Sequence, residues 1–77
     1  MAGEPAHQND ADARARVRQL LLSGDNTIKN RDNPERFARA RRRYEDAREV
    51  AVAAGLEPGI LEIIDRRLAD LPGEAAG

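Results

Sequence analysis

Apolar side chains recur at steps of three and four residues along most of this chain, which is the spacing of one face of an α-helix. The first such stretch predicts a helix over about residues 12–30, with a stripe formed by Ala13, Val17, Leu20, Leu21, Gly24 and Ile28. A glycine costs about 1 kcal/mol inside a helix, but Gly24 lies in the stripe, where a missing side chain lets another helix approach closely. We therefore favour a helix that continues through Gly24 over one that ends there in a turn at residues 23–26.

A second helix is predicted over residues 34–54. Asn33 can cap it and Pro34 suits its first position, while Gly55 supplies the left-handed residue that ends helices, with Leu56 folding back as its apolar partner. The inward face is a narrow seam of small residues around two aromatic rings, formed by Phe37, Ala40, Tyr44, Ala47, Ala51 and Ala54. Such a seam favours close antiparallel packing against the first helix.

A third helix is predicted over about residues 58–71. Its apolar face is the widest of the three and is formed by Ile60, Leu61, Ile64, Leu68 and Leu71. We expect this helix to cover the open side of the first two. The predicted fold is therefore all-α, an antiparallel helical hairpin with a C-terminal capping helix.

The two ends of the chain lack this periodicity. Residues 1–10 and 73–77 mix Gly, Pro, Ala and polar side chains, so we expect a disordered N-terminal arm and a disordered tail around a single domain at 11–72. No basic leader and no apolar run of the roughly 18 residues that span a bilayer is present. We therefore expect a cytoplasmic protein that does not enter membranes, either a monomer or a weak homodimer.

Composition argues against catalysis. The 77 residues contain no cysteine, which removes disulfides, thiolate metal ligands and a thiol nucleophile. His7 is the only histidine and falls in the predicted arm, without a fixed partner for a triad or a metal site. Asp25 and Asp32 lack the ligand spacing of a calcium loop, and no Gly-rich phosphate loop occurs. We expect no enzyme activity, no metal and no cofactor.

The strongest local charge lies at the start of the second helix, where five arginines fall within eight residues at Arg36, Arg39, Arg41, Arg42 and Arg43. Such a face can bind phosphates, and a nucleic-acid-binding protein using Arg36, Arg39, Arg42 and Arg43 is one hypothesis. We favour a face neutralised within its own helix, because Glu45 and Asp46 follow Arg41 and Arg42 by four residues. Both aromatic rings also face the predicted core, which leaves no stacking platform for bases. An acidic peptide is the alternative ligand for these arginines.

Leu22 is the other exception to the pattern. It lies roughly 140 degrees from the stripe of the first helix at the 100-degree helical step, so it should point to solvent. A single exposed leucine usually has no function, but a patch shared with Val50 or Ile63 would be a surface for a partner or for dimerisation.

The stretch ARARRRYEDA, residues 38–47, resembles the second helix of a tetratricopeptide repeat. Ala40, Tyr44 and Ala47 match the small, aromatic and small positions of that motif, and Gly24 matches the glycine of its first helix. The resemblance covers roughly residues 20–54 and departs from the pattern in its longer interval between Gly24 and Ala40 and in a proline displaced to Pro58. It implies a non-catalytic module that binds a partner protein or acidic peptide, with the third helix as a cap.

Overall fold

The protein is built from three α-helices and the turns that join them. A computed structural model describes residues 3–72, with the side chains of residues 10–72. Helix α1 spans Gly3–Lys29, helix α2 spans Arg36–Ala54 and helix α3 spans Pro58–Asp70, and no strand occurs within this described part of the chain. The prediction of an all-α three-helix unit is confirmed.

Helix α1 is longer than the periodicity indicated. It begins at Gly3 rather than near Asp12, and so it includes much of the segment that we expected to form a disordered arm. The disorder of that arm stays a prediction. Met1, Ala2 and the predicted tail at 73–77 lie outside the described residues. The helix continues through Gly24 without a break, as predicted.

The contact between α1 and α2 is made at close range by small residues. The buried side chains of α2 are Ala40, Tyr44, Ala47 and Ala51, as the seam predicted. The ring of Tyr44 lies so close to Gly24 that a Cβ atom on this glycine would stand 2.5 Å from the Tyr44 Cε1 atom. The predicted seam is wrong at its last member, because Ala54 is exposed at the end of the helix. Phe37 is half-buried against the core.

The turn before α2 differs from the expected cap. The helix begins at Arg36 rather than Pro34, and its first residue follows Glu35, which caps it without a side-chain hydrogen bond. The Asn33 Oδ1 atom instead accepts a hydrogen bond from the Glu35 N–H at 2.9 Å. Asparagine readily bonds the backbone two residues on, so Asn33 forms a turn and Pro34 lies within that turn.

The end of α2 matches its prediction. Gly55 has φ 68°, in the left-handed region, and its N–H donates to the Val52 carbonyl at 3.1 Å. The Leu56 N–H donates to the Ala51 carbonyl at 3.0 Å, which completes a Schellman motif. Leu56 is buried and so fixes the direction in which the chain enters α3.

Helix α3 packs mainly against α2 and only weakly against α1. Ile64 is fully buried at the centre of its apolar face, and Leu71 is buried at its end. The other predicted core residues of this face are half-buried, namely Ile60, Leu61 and Leu68. The expectation that α3 would cover both other helices is therefore met on the α2 side, while a groove stays open on the α1 side.

We predict that Gly24→Ala lowers the free energy of unfolding by roughly 1 to 3 kcal/mol, because the new methyl group would overlap the Tyr44 ring. Helix propensity alone predicts the opposite sign, a gain of about 1 kcal/mol. Gly59→Ala is the matched control, because nothing lies within 4 Å of a Cβ at that position of α3. Urea denaturation of both variants tests the packing, and a Gly24→Ala variant as stable as the Gly59→Ala variant would contradict it.

Candidate functional site

A groove runs between α1 and α3. From α1 it is lined by Arg14, Val17, Arg18, Leu21, Leu22 and Asp25, and from α3 by Ile60, Ile63 and Arg67. Its floor is therefore aliphatic, and charged side chains stand around it. A surface of this kind can hold an apolar side chain of a partner and fix its orientation by charge.

An ion pair between the two helices lies towards each end of the groove. The Arg14 Nη2 atom lies 2.6 Å from the Glu57 Oε1 atom, just before α3 begins. Further along, the Arg67 Nη2 atom lies 3.2 Å from the Asp25 Oδ2 atom. Arg14 comes before Asp25 in the chain, and its partner Glu57 comes before Arg67, the partner of Asp25. Helices α1 and α3 therefore run in the same direction. At 1.5 Å per helical residue, the two ion pairs are about 16 Å apart along α1.

Two large aliphatic side chains project into the groove from opposite sides. Leu22 of α1 is 55% exposed and Ile63 of α3 is 50% exposed. The prediction that Leu22 points to solvent is confirmed, and the structure brings it to the same groove as Ile63. Val50, the other residue considered for this patch, instead packs against the core. The groove therefore leaves apolar area in water that a partner could cover.

The three arginines of the groove differ in their partners. Arg14 is paired with Glu57 and with Asp10, the latter at 3.6 Å. Arg67 is paired with Asp25. Arg18 lies one helical turn before Leu22 and forms no ion pair or hydrogen bond with another described side chain. Arg18 is therefore the groove arginine that pairs with no described acid, although the acids paired with the other two, Asp10, Glu57 and Asp25, equal the three arginines in number.

Asp25 joins all three helices. Its Oδ1 atom accepts a hydrogen bond from the Tyr44 hydroxyl of α2 at 2.5 Å. The Nε and Nη2 atoms of Arg67 of α3 donate to the two oxygens of the same carboxylate at 3.2 Å each. This two-pronged contact fixes the orientation of the guanidinium as well as its position. The junction sets where α3 lies relative to α1, and so the width of the groove.

The pKa values of the junction follow from these contacts. Partial burial raises the pKa of the Asp25 carboxyl, but the hydrogen bonds from Arg67 and Tyr44 outweigh it, so the pKa lies below its ordinary value. Burial, followed by the hydrogen bond to Asp25, raises the pKa of the Tyr44 hydroxyl well above its ordinary value. At neutral pH the carboxylate is therefore charged and the hydroxyl is a donor, as the geometry requires.

The arginines at the start of α2 form a separate surface. Arg39, Arg42 and Arg43 lie around an open depression with Glu35 and Ala38. Arg39 is weakly paired with Glu35 at 3.8 Å, and both side chains are exposed. An exposed pair of this length contributes little to stability.

Arg36 and Arg43 of this surface have no acid four residues further along the chain, whereas Arg42 was expected to pair with Asp46. The Arg36 guanidinium lies 4.6 Å from the centroid of the Phe37 ring, a cation–π contact. Arg42 and Arg43 make no ion pair with another residue among those described, so the predicted pair of Arg42 with Asp46 is wrong. Arg42 instead extends into solvent with Arg43.

The sequence pattern singled out Leu22 and the α2 arginines, but not Arg18 or the pairing of Asp25 with Arg67. A usable signal existed for Arg18, because the residues four positions before and after it are Arg14 and Leu22, so no acid can neutralise it within α1. No comparable signal identifies the Asp25 and Arg67 pair, because it depends on how α3 packs.

Comparison with known proteins found no matching family model, curated protein or solved structure. The three-helix arrangement is compatible with a helical-repeat-like fold. Among the described residues, no group of histidine, cysteine and acidic side chains could hold a metal ion. None of the helices, as far as they are described, is both long and apolar enough to cross a membrane.

We predict that Asp25→Asn lowers the free energy of unfolding at pH 7 by about 1 kcal/mol, after allowance for the partial exposure of the pair. Because the folded-state pKa of Asp25 is lowered, its contribution is complete above the ordinary carboxyl pKa and is lost as the pH falls through the lowered value. Urea denaturation of both proteins from pH 7 to pH 2 should show the difference shrinking in acid. A difference independent of pH would contradict this assignment.

Proposed function

We propose that this protein is a small, non-catalytic helical module that binds a partner protein or acidic peptide in the groove between α1 and α3. One observation carries the proposal, namely the exposure of Leu22 and Ile63 from two different helices into the same groove. A chain this small has few large apolar side chains, and three of those described, Leu22, Val52 and Ile63, are about half exposed, two of them in this groove. A partner that covered Leu22 and Ile63 would gain free energy of binding by removing their apolar surface from water.

The size of that gain indicates a modest affinity from the groove floor alone. Burying a whole leucine or isoleucine side chain is worth about 1.5 to 3 kcal/mol, so the exposed halves of Leu22 and Ile63 offer about half of that each. Specific binding then needs further contacts, and the charged side chains around the groove are available for them. Aliphatic anchors surrounded by charges are a common composition for a protein interface.

The resemblance to a tetratricopeptide repeat supports the same proposal. Its small and aromatic positions at Ala40, Tyr44 and Ala47 are buried, and Gly24 lies against the Tyr44 ring as close packing of two such helices requires. Membership of that family is part of the proposal. The groove would then be the side of a single repeat that its capping helix leaves open.

We predict that Leu22→Asn and Ile63→Asn each weaken capture of the partner from nuclease-treated lysate severalfold, while Val52→Asn retains it. Val52 is the matched control because it is 52% exposed and aliphatic, only one methylene smaller than Leu22 or Ile63, but lies on α2 outside the groove lining. Thermal melts of all three variants, measured alongside, test whether the fold persists. Equal loss in all three variants, or in none, would count against the groove as the site.

A second candidate function is binding of nucleic acid by the α2 arginines. It is favoured by Arg42 and Arg43, which extend from one surface without an ion pair to another described residue. Arginines of this kind contact phosphates and hold the backbone without reading its sequence. The Glu35 side chain on the same surface and the burial of Tyr44 weigh against this candidate.

If this second candidate is right, binding of a nucleic-acid duplex should weaken steeply between about 50 and 200 mM salt. The double variant Arg42→Gln with Arg43→Gln should then reduce the slope of log affinity against log salt concentration by about two. The double variant Arg16→Gln with Arg66→Gln is the control of equal net charge, because both arginines are exposed and lie away from that surface. Equal effects of the two double variants would show that binding depends on the net charge of the protein rather than on this surface.

A further inference from the structure

The chemistry of the groove narrows the partner to one kind of segment. We propose that the groove takes a short peptide segment in which an aliphatic side chain lies between Leu22 and Ile63 and a carboxylate, about one helical turn away, pairs with Arg18. This inference rests on the proposed function and adds the identity of the ligand. Arg18 is the residue that selects it.

Charge complementarity carries the argument for a carboxylate. Arg14 and Arg67 are each neutralised by an acid of this chain at 2.6 and 3.2 Å, so they close the two ends of the groove without attracting a ligand. Arg18 lies between them without an ion pair to any described side chain. Guanidinium groups bind carboxylates through two parallel hydrogen bonds, which also fixes the direction of the bound segment.

The position of Arg18 determines the spacing within the ligand. Arg18 and Leu22 are four residues apart on α1, so their Cβ atoms are separated by about 5 to 6 Å. An acid that reaches Arg18 must therefore lie about that far from the aliphatic side chain that covers Leu22. The distance of about 16 Å between the ion pairs accommodates about eleven helical or five extended residues.

Other occupants fit the same groove less well. A second copy related by a two-fold axis would bring its own Arg18 to the interface, where two unpaired arginines offer each other no carboxylate partner. A nucleic acid would meet an aliphatic floor and the Asp25 carboxylate, with Tyr44 buried rather than free to stack on bases. A foreign acidic and apolar segment is the occupant whose charge and surface both match.

The test is selection of peptides from a random phage library against the folded wild-type chain, followed by affinity measurements on the selected sequences. The selected peptides should combine an aliphatic residue with Asp or Glu within one helical turn. Replacing that acid by its amide should weaken binding to the wild-type chain by about two- to fivefold, which is the worth of an exposed ion pair. The amide peptide and the acidic peptide should bind equally to Arg18→Gln.

The controls distinguish failure of this inference from failure of the proposed function. Arg16→Gln removes a neighbouring exposed arginine of α1 that does not line the groove, and it should keep the preference for the acid. Peptides that bind through Leu22 and Ile63 without preferring an acid would overturn the role of Arg18 but would leave the groove as the binding site. Peptides that bind Leu22→Asn and Ile63→Asn as well as wild type would overturn the groove itself.

Two further outcomes would also overturn the inference. Selection of basic motifs, or of no motif, would show that Arg18 does not set the ligand. Sedimentation of the chain without peptide provides the remaining comparison. If the mass rises with concentration in the wild type but not in Ile63→Asn, the occupant of the groove is a second copy of the chain.

Discussion

The contact between the Tyr44 ring and the backbone at Gly24 is the constraint on which the rest of this small fold depends. It brings α1 and α2 together because Gly24 has no side chain to hold the Tyr44 ring away, and it places the Tyr44 hydroxyl on Asp25. Asp25 in turn receives Arg67 from α3, so one carboxylate orients the third helix against the first two. A chain with two aromatic residues thus uses one of them both to fill the core and to organise the polar contacts beside it.

The groove is a consequence of how α3 is held. Ile64 buries α3 against α2, and the ion pair of Arg48 with Asp65 supports that contact at 2.8 Å. Towards α1 the helix is attached by side chains, at Arg14 near its start and at Asp25 further along. Between these attachments the two helices contact each other only weakly. The exposed side chains of Leu22 and Ile63 and the unpaired Arg18 all lie in that interval.

Periodicity and glycine chemistry were enough to predict the three helices, the buried seam of α2 and the end of α2 at Gly55. These features depend on neighbours within one helix turn, which the sequence displays directly. The continuous course of α1 through Gly24 was predictable for the same reason, since the stripe keeps its phase on both sides of the glycine.

The polar contacts could not be predicted in this way. The sequence predicts ion pairs between arginines and acids four residues apart on one helix. Arg14, Arg48 and Arg67 instead pair with acids from other parts of the fold. Those distances are set by helix packing rather than by spacing along the chain. The proposed site was therefore only partly predictable. Leu22 departs from the helical pattern, and the absence of an acid three or four residues from Arg18 could have marked that residue, but the approach of α3 to α1 depends on packing.

The most direct test of the central claim is chemical-shift mapping of the folded chain during titration with a peptide selected against it. The account predicts that the largest changes fall on the methyl groups of Leu22 and Ile63 and on the Arg18 guanidinium, while Val52 stays unperturbed. Changes concentrated on Arg42 and the rest of the α2 arginine surface, with the Leu22 and Ile63 methyl groups unmoved, would contradict it.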